Sequence, residues 1–246
     1  MYSPSADLSD QAFTEHMLNV YGITYDNNVS ELNVIPKEGP FIIVSNHPFG
    51  AIEGILLYDA IARIRPDFKV LANFILSYIP NLKNVFIPVN PFTNNPEWGN
   101  SLGGIKTAME HVSNGNGLGI FPAGEVSRYN GNKYPEDIEW SVTIAKLVKK
   151  CKVPVIPFYF DGVNSKKFYR LAKIHSMLGT AMLLNELYNK RNQHFTIKIG
   201  KPILPSDIEV YDDYKKLAAY LRARSYALEA NINKENIKNR NTKLES

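Results

Sequence analysis

Residues 41–54 read Phe41-Ile42-Ile43-Val44-Ser45-Asn46-His47-Pro48-Phe49-Gly50-Ala51-Ile52-Glu53-Gly54. The opening run is short, apolar and largely β-branched, and it follows the turn residues Gly39-Pro40. Such a run has no polar face to offer water, so it predicts a strand buried on both sides, as in a parallel sheet. The chain then passes through Asn46-His47-Pro48 into residues 52–64, whose apolar positions recur with a helical period until Pro66 stops them. Strand, loop, helix is the unit of an α/β fold.

Working outward, the unit repeats. Strands are expected at 69–72, 85–89 and 118–121, with a short helix about 74–78, a helix at 101–112, and 141–149 as the tail of another. Residues 153–160 predict a strand broken by Pro154 and Pro157, hence irregular or near a sheet edge. Helical segments follow over 166–189, then a strand at 194–199 and a last helix at 211–230. Towards the amino terminus, 29–35 reads as a strand. Residues 10–21 read as an amphipathic helix that Gly22 ends. The alternation predicts one α/β domain with a mainly parallel central sheet flanked by helices. Residues 1–28 form an N-terminal helical segment, 29–230 the main domain, and the Asn/Lys-rich 231–246 a frayed tail.

Composition narrows the class. The chain has 246 residues, 44% of them hydrophobic and 21% charged, which excludes disordered and collagen-like chains. One cysteine, Cys151, allows no intrachain disulfide and no paired zinc spacing, which suits a reducing compartment. The start of the chain lacks a basic region and a long apolar run, so it is not read as a secretory signal, and no stretch is long enough to span a bilayer. A cytoplasmic protein, free or on the inner face of the cell membrane, is expected. A net charge of +4 is too small to imply nucleic acid, but it favours an anionic partner such as a lipid surface or an acyl carrier protein.

Reactive side chains in open α/β sheets gather at the carboxyl ends of strands, and two loops stand there. In the first, His47 follows the buried strand and Glu53 lies in the next helix, placed to bend back onto the ring. A carboxylate that fixes the tautomer makes histidine a competent general base. The alternative is that His47 caps the helix and Glu53 is a solvated first-turn acid. The second loop, Phe121-Pro122-Ala123-Gly124-Glu125-Val126-Ser127-Arg128, exposes backbone N–H groups that could hold an oxyanion, with Arg128 adding positive charge. It also reads as an ordinary turn with Glu125 and Arg128 in water. No G-x-S-x-G elbow surrounds Ser127. The glycines at 115, 117 and 119 mimic a phosphate loop but precede their strand. His16, His111, His175 and His194 have no acid at a useful spacing.

Together these loops resemble the glycerolipid acyltransferase superfamily, typified by 1-acylglycerol-3-phosphate acyltransferases, in which N-H-x4-D supplies base and acid and F-P-E-G-T-R-S binds the acceptor. Asn46-His47 matches, with Glu53 one position later and one methylene longer than the family's acid. Phe121, Pro122, Gly124 and Ser127 match the second block. Val153-Pro154-Val155-Ile156-Pro157 resembles the V-P-[IV]-x-P block, and Ile199-Gly200-Lys201-Pro202-Ile203 the closing strand-turn. The resemblance spans about residues 29 to 205. N-H-P-F-G-x-x-E-G with F-P-A-G-E-V-S is closer to the haemolysin-like branch, which includes enzymes acylating amino-acid lipids. The stretch Val85 to Asn90 lacks the family's phosphate-binding arginine, a lack that Arg128 partly compensates.

The resemblance implies an acyltransferase that moves a fatty acyl group from acyl carrier protein or coenzyme A to a hydroxyl or amine of a lysolipid or amino-acid lipid. His47 and Glu53 would be catalytic, and Asn46, Gly124, Glu125, Ser127 and Arg128 would bind the acceptor or the oxyanion. No metal or bound cofactor is implied. The rival reading is a non-catalytic lipid-binding protein on the same scaffold. The apolar stretch 177–184, flanked by basic residues within 166–191, suits either a membrane interface or the core.

Overall fold

The computed structural model describes residues 7–26, 29–73, 76, 79–89, 101–129, 131, 134–174 and 176–230. In chain order its elements are α1 (Asp10–Tyr21), β1 (Thr24–Tyr25), α2 (Val29–Leu32), β2 (Phe41–Ser45), α3 (Ile52–Ala62), β3 (Lys69–Asn73) and β4 (Phe86–Val89). There follow α4 (Ser101–Ser113), β5 (Gly117–Ile120), α5 (Val142–Cys151), β6 (Val155–Phe160), α6 (Lys166–Ile174) and α7 (Ser176–Asn189). Last come β7 (His194–Phe195), β8 (Ile197–Ile199), α8 (Pro205–Glu209) and α9 (Tyr214–Tyr226). The short helix expected at 74–78 and the tail 231–246 lie outside the described residues, apart from Leu76.

The main sheet has the order β4-β3-β5-β2-β6-β8. All neighbours run parallel except β6 and β8. As expected, β2 lies inside the sheet and buries every residue. Its side chains alternate between two cores: Phe41 and Ile43 pack with Leu18 of α1 and Leu56 of α3, Ile42 and Val44 with Ala108 of α4, Val148 of α5 and Leu221 of α9. Burial at about 1.5–3 kcal/mol per large apolar side chain holds the end of β2, and so His47, at a fixed place. The glycines of β5 serve the packing rather than a phosphate. A Cβ at Gly117 would lie 2.5 Å from the Phe41 ring, and one at Gly119 2.8 Å from the Phe68 ring.

Four expectations are corrected. Residues 29–35 contribute the helical turn α2 and coil, not a strand. The Glu31 carboxylate accepts the Ile199 N–H at 3.2 Å, occupying the edge of β8 with a side chain instead of a ladder. Residues 194–199 divide at Thr196, β7 pairing with β1 in a separate two-stranded sheet and β8 with β6. Residues 141–149 begin a helix rather than end one, since α5 starts immediately after Ser141. Finally, β6 is continuous, buried and internal. The nitrogen of Pro157 shares a side with its carbonyl, which accepts from Gly200 N–H at 2.8 Å. The missing donor thus falls where the partner chain turns between β8 and the Val155–Ile203 bridge, so no ladder bond is lost.

The N-terminal helix is fastened to the domain through Asp59 of α3, which accepts from the Thr14 hydroxyl at 3.3 Å and the Tyr25 hydroxyl at 2.6 Å. The last helix begins at Tyr214 rather than at 211, because Asp213 caps it by accepting from Lys215 N–H at 2.7 Å.

Candidate active site

The carboxyl ends of β2, β5 and β6 adjoin where the strand order reverses, the place at which open α/β sheets bind ligands. Asn46 is the last residue to behave as strand, but through its side chain. Nδ2 donates to the Phe160 carbonyl at 2.9 Å and Oδ1 accepts the Phe160 N–H at 2.8 Å. Asn46 is therefore buried and spent on extending the β2–β6 register, not turned to an acceptor.

Beyond it the chain must turn back sharply for Glu53 to reach His47. Gly50 makes this possible with φ of +95°, and its missing Cβ leaves room for Leu183 and Val126, whose methyls would lie 2.6 Å from one. Gly50→Ala is expected to destabilise the protein by about 1–3 kcal/mol and to lower turnover by disturbing the turn. Thermal melting beside steady-state kinetics checks both.

Glu53, in the first turn of α3, is wholly buried. Its Oε1 accepts the N–H groups of Phe49 at 2.9 Å and Gly50 at 2.7 Å, donors left over where a helix begins. The same oxygen lies 2.8 Å from His47 Nδ1, so the extra residue and extra methylene relative to N-H-x4-D bring the pair together. Burial opposes the charge on each group. The two charges and their contact outweigh it, holding the Glu53 carboxyl below the usual carboxylate range and raising the proton affinity of His47. With Nδ1 beside the Glu53 carboxylate and 17% of the side chain exposed, Nε2 is the nitrogen left to meet a reactant.

The 121–128 loop lies against this pair. Phe121 stacks on the His47 ring with centroids 4.7 Å apart, and Ser127 N–H donates to the His47 carbonyl at 2.9 Å. Ser127 is buried, its hydroxyl donating to Asp137 Oδ1 at 2.6 Å, so it joins protein to protein rather than facing an acceptor. Gly124 N–H donates to the Phe121 carbonyl at 3.0 Å and closes the turn instead of serving an oxyanion. Glu125 and Arg128 form an ion pair with each other, about half exposed.

Asp137 and Lys190 were not anticipated. Asp137 accepts the His47 N–H at 3.1 Å from 90 positions away in the chain, and its one local signal is Trp140, whose indole N–H it accepts at 2.8 Å. Lys190, buried in spite of its charge, lies over the Phe49 ring at 4.7 Å and donates to the Val163 carbonyl at 2.7 Å. His194 does find an acid, Asp26 at 2.8 Å, beside the two-stranded sheet.

A family model described as Acyltransferase matches residues 4–235. The chain belongs to this acyltransferase family. Similar proteins of the family include a lyso-glycine lipid O-acyltransferase of Phocaeicola vulgatus, 31% identical over 182 residues, 71% of this chain and 63% of that protein. Another, of the same description, is from Bacteroides thetaiotaomicron, 31% identical over 183 residues, 71% of this chain and 65% of that protein. The chain thus spans just under two thirds of the length of these relatives. The fold of the chain is shared with a crystal structure of the 1-acyl-sn-glycerophosphate acyltransferase from Thermotoga maritima. The TM-score is 0.55 at 17% identity, over 89% of this chain and 77% of that one.

Proposed function

We propose that this protein moves a fatty acyl group from an acyl thioester to the free hydroxyl of a lysolipid with an amino-acid head group, with His47 as general base. The observation that carries the reading is the buried Glu53 carboxylate 2.8 Å from His47 Nδ1 at the end of β2. In this scheme Nε2 takes the proton of the acceptor hydroxyl as its oxygen attacks the thioester carbonyl, and Glu53 stabilises the imidazolium. Collapse of the tetrahedral intermediate breaks the C–S bond, and the imidazolium returns its proton to the departing thiolate. A thioester is already activated, so placing the reactants supplies much of the rate.

The head-group reading is supported by the absence of arginine from Val85 to Asn90 and by the likeness to the two lyso-glycine lipid O-acyltransferases. Arg128 would exchange Glu125 for the lipid carboxylate, a bidentate pairing that lysine does not reproduce. The donor in this reading is acyl carrier protein or coenzyme A. We further place the protein in the cytoplasm, at the inner face of the membrane. Among the described residues no helix is long and apolar enough to cross a bilayer. Lys166, Lys167, Arg170 and Lys173 are exposed on α6, whose Tyr169 packs on Tyr129, the residue after the 121–128 loop, 5.1 Å between rings. This basic face suits anionic head groups. Leu183, from the apolar stretch, instead packs at Gly50.

The test follows thiol release from acyl-CoA and from acyl carrier protein, with lyso-glycine lipid or lysophosphatidic acid presented in vesicles. Acceptor-dependent release is expected with lyso-glycine lipid, faster on anionic vesicles at low salt. Efficient use of lysophosphatidic acid alone overturns the head-group assignment. Lysolipid binding with no thiol released from either donor identifies a non-catalytic lipid-binding protein.

A further inference from the structure

Asp137 stands where three parts of the site meet, and the reaction scheme gives it no task. Its carboxylate is buried. Oδ1 accepts the backbone N–H of His47 at 3.1 Å and the Ser127 hydroxyl at 2.6 Å, and Oδ2 accepts Trp140 Nε1–H at 2.8 Å. From α9, the Tyr226 hydroxyl accepts the Asp137 N–H at 2.8 Å and Arg222 donates to the Asp137 carbonyl at 2.9 Å. Ser127 N–H donates to the His47 carbonyl at 2.9 Å. The backbone of His47 is thereby tied to the 121–128 loop at both its N–H and its carbonyl, the first tie passing through Asp137. A buried carboxylate tolerates such a place only when donors surround it, and here two of the donors, His47 N–H and the Ser127 hydroxyl, belong to the base and to the 121–128 loop.

We propose that Asp137 is a positioning residue of the acyl-transfer site, locking the His47 backbone to the acceptor loop at Ser127 so that base and acceptor share one geometry. The inference rests on the acyl-transfer reading. Its negative charge has a second consequence. Burial lowers the proton affinity of His47, whereas the Glu53 carboxylate and then that of Asp137 raise it, with a net rise. The other charged or titratable groups that face this cluster are Lys190, just past the end of α7, and Tyr169 of α6 towards Glu53, and Tyr159 of β6 with Tyr226 and Arg222 of α9 towards Asp137.

The test compares Asp137→Asn and Ser127→Ala with the parent, in the full chain, using acyl-CoA and lyso-glycine lipid. The asparagine oxygen keeps acceptors for His47 N–H and Ser127, but the charge is gone and its amino group faces the Trp140 donor. We expect kcat to fall about tenfold or more, with KM moving less. The acid limb of the pH–rate profile should shift to lower pH, because the neutral base survives further into acid. Ser127→Ala keeps the charge and cuts one link, so kcat should fall roughly fivefold with the acid limb in place, and it decides the matter if Asp137→Asn does not fold. A lower melting temperature with an unmoved acid limb in folded Asp137→Asn, or parental kcat in Ser127→Ala, overturns the proposal. An NMR titration of the His47 ring needs no substrate and separates the two readings. Failure of the parent to release thiol from either acyl-CoA or acyl carrier protein removes the acyl-transfer reading, while an unshifted His47 titration in Asp137→Asn removes the role of Asp137.

Discussion

Replacing His47 with alanine is expected to lower acyl transfer by about 10²-fold or more, the contribution of a positioned general base, and to leave the fold in place. The ties that hold this part of the chain use its backbone, the N–H on Asp137 and the carbonyl under Ser127, and these survive the substitution. Glu53 keeps the N–H groups of Phe49 and Gly50. It loses the imidazole that helped hold its carboxyl ionised against burial, so its proton affinity rises and some stability near neutral pH is lost. Thiol release at saturating donor, beside a thermal melt, checks both halves. Folded His47→Ala with near-parental turnover would remove histidine from the mechanism. The parent carries a matching pH signature. Only neutral His47 can accept the proton, so activity should rise with pH through a midpoint above that of an exposed histidine, since its proton affinity is raised. For stability the sign is the reverse. The contribution of His47 is full below its unfolded pKa and is lost as pH rises through the folded one, whereas that of Glu53, whose folded pKa is lowered, is present above its unfolded value and is lost on acidification.

The parts of this architecture that were legible in the sequence are those set by local pattern. Phe41 to Val44 could be read as a doubly buried strand because all four side chains are apolar, and both cores confirm it. The misreadings come from pairings that local pattern does not encode. Pro157 argues against an interior strand only if its nitrogen faces a ladder partner, and that depends on where β8 ends. Residues 29–35 carry strand-forming residues, yet Ile35 is buried, and Leu32 and Val34 partly so, without a ladder. Propensity yields there to tertiary packing.

The site divides in the same way. His47 and Glu53 are six residues apart, close enough for one turn and the start of one helix to bring them together. Asp137 reaches His47 only because the 121–140 segment folds back across the strand ends, and no spacing rule reports that. Asn46 and Ser127 were correctly placed near the base, but a sequence shows hydroxyls and amides without showing which donors and acceptors are already taken. Both side chains are used inside the protein.

Glu53→Gln is the second large effect expected, again about 10²-fold or more in turnover, and it separates charge from geometry. In the parent one oxygen, Oε1, serves the Phe49 and Gly50 N–H groups and lies against His47 Nδ1. Glutamine can put its carbonyl oxygen in that place, because the opposite orientation would set an amino group against two N–H donors. The turn, and with it the position of the ring, should therefore persist. The amino group then takes the position of Oε2, which is buried and has no hydrogen-bond partner among the described residues, so some stability is lost for want of an acceptor. What disappears entirely is the negative charge opposite the imidazolium. With burial now opposed only by the Asp137 carboxylate, the proton affinity of His47 falls, and the acid limb of the pH–rate profile moves to lower pH even as the maximal rate drops. Glu53→Asp would keep the charge but shorten the reach by one methylene, and partial recovery of turnover is expected in it. Kinetics across pH for both variants, with a melt to confirm folding, provide the check. A folded Glu53→Gln protein with parental turnover and an unshifted profile would mean that the carboxylate serves the turn alone and not the base.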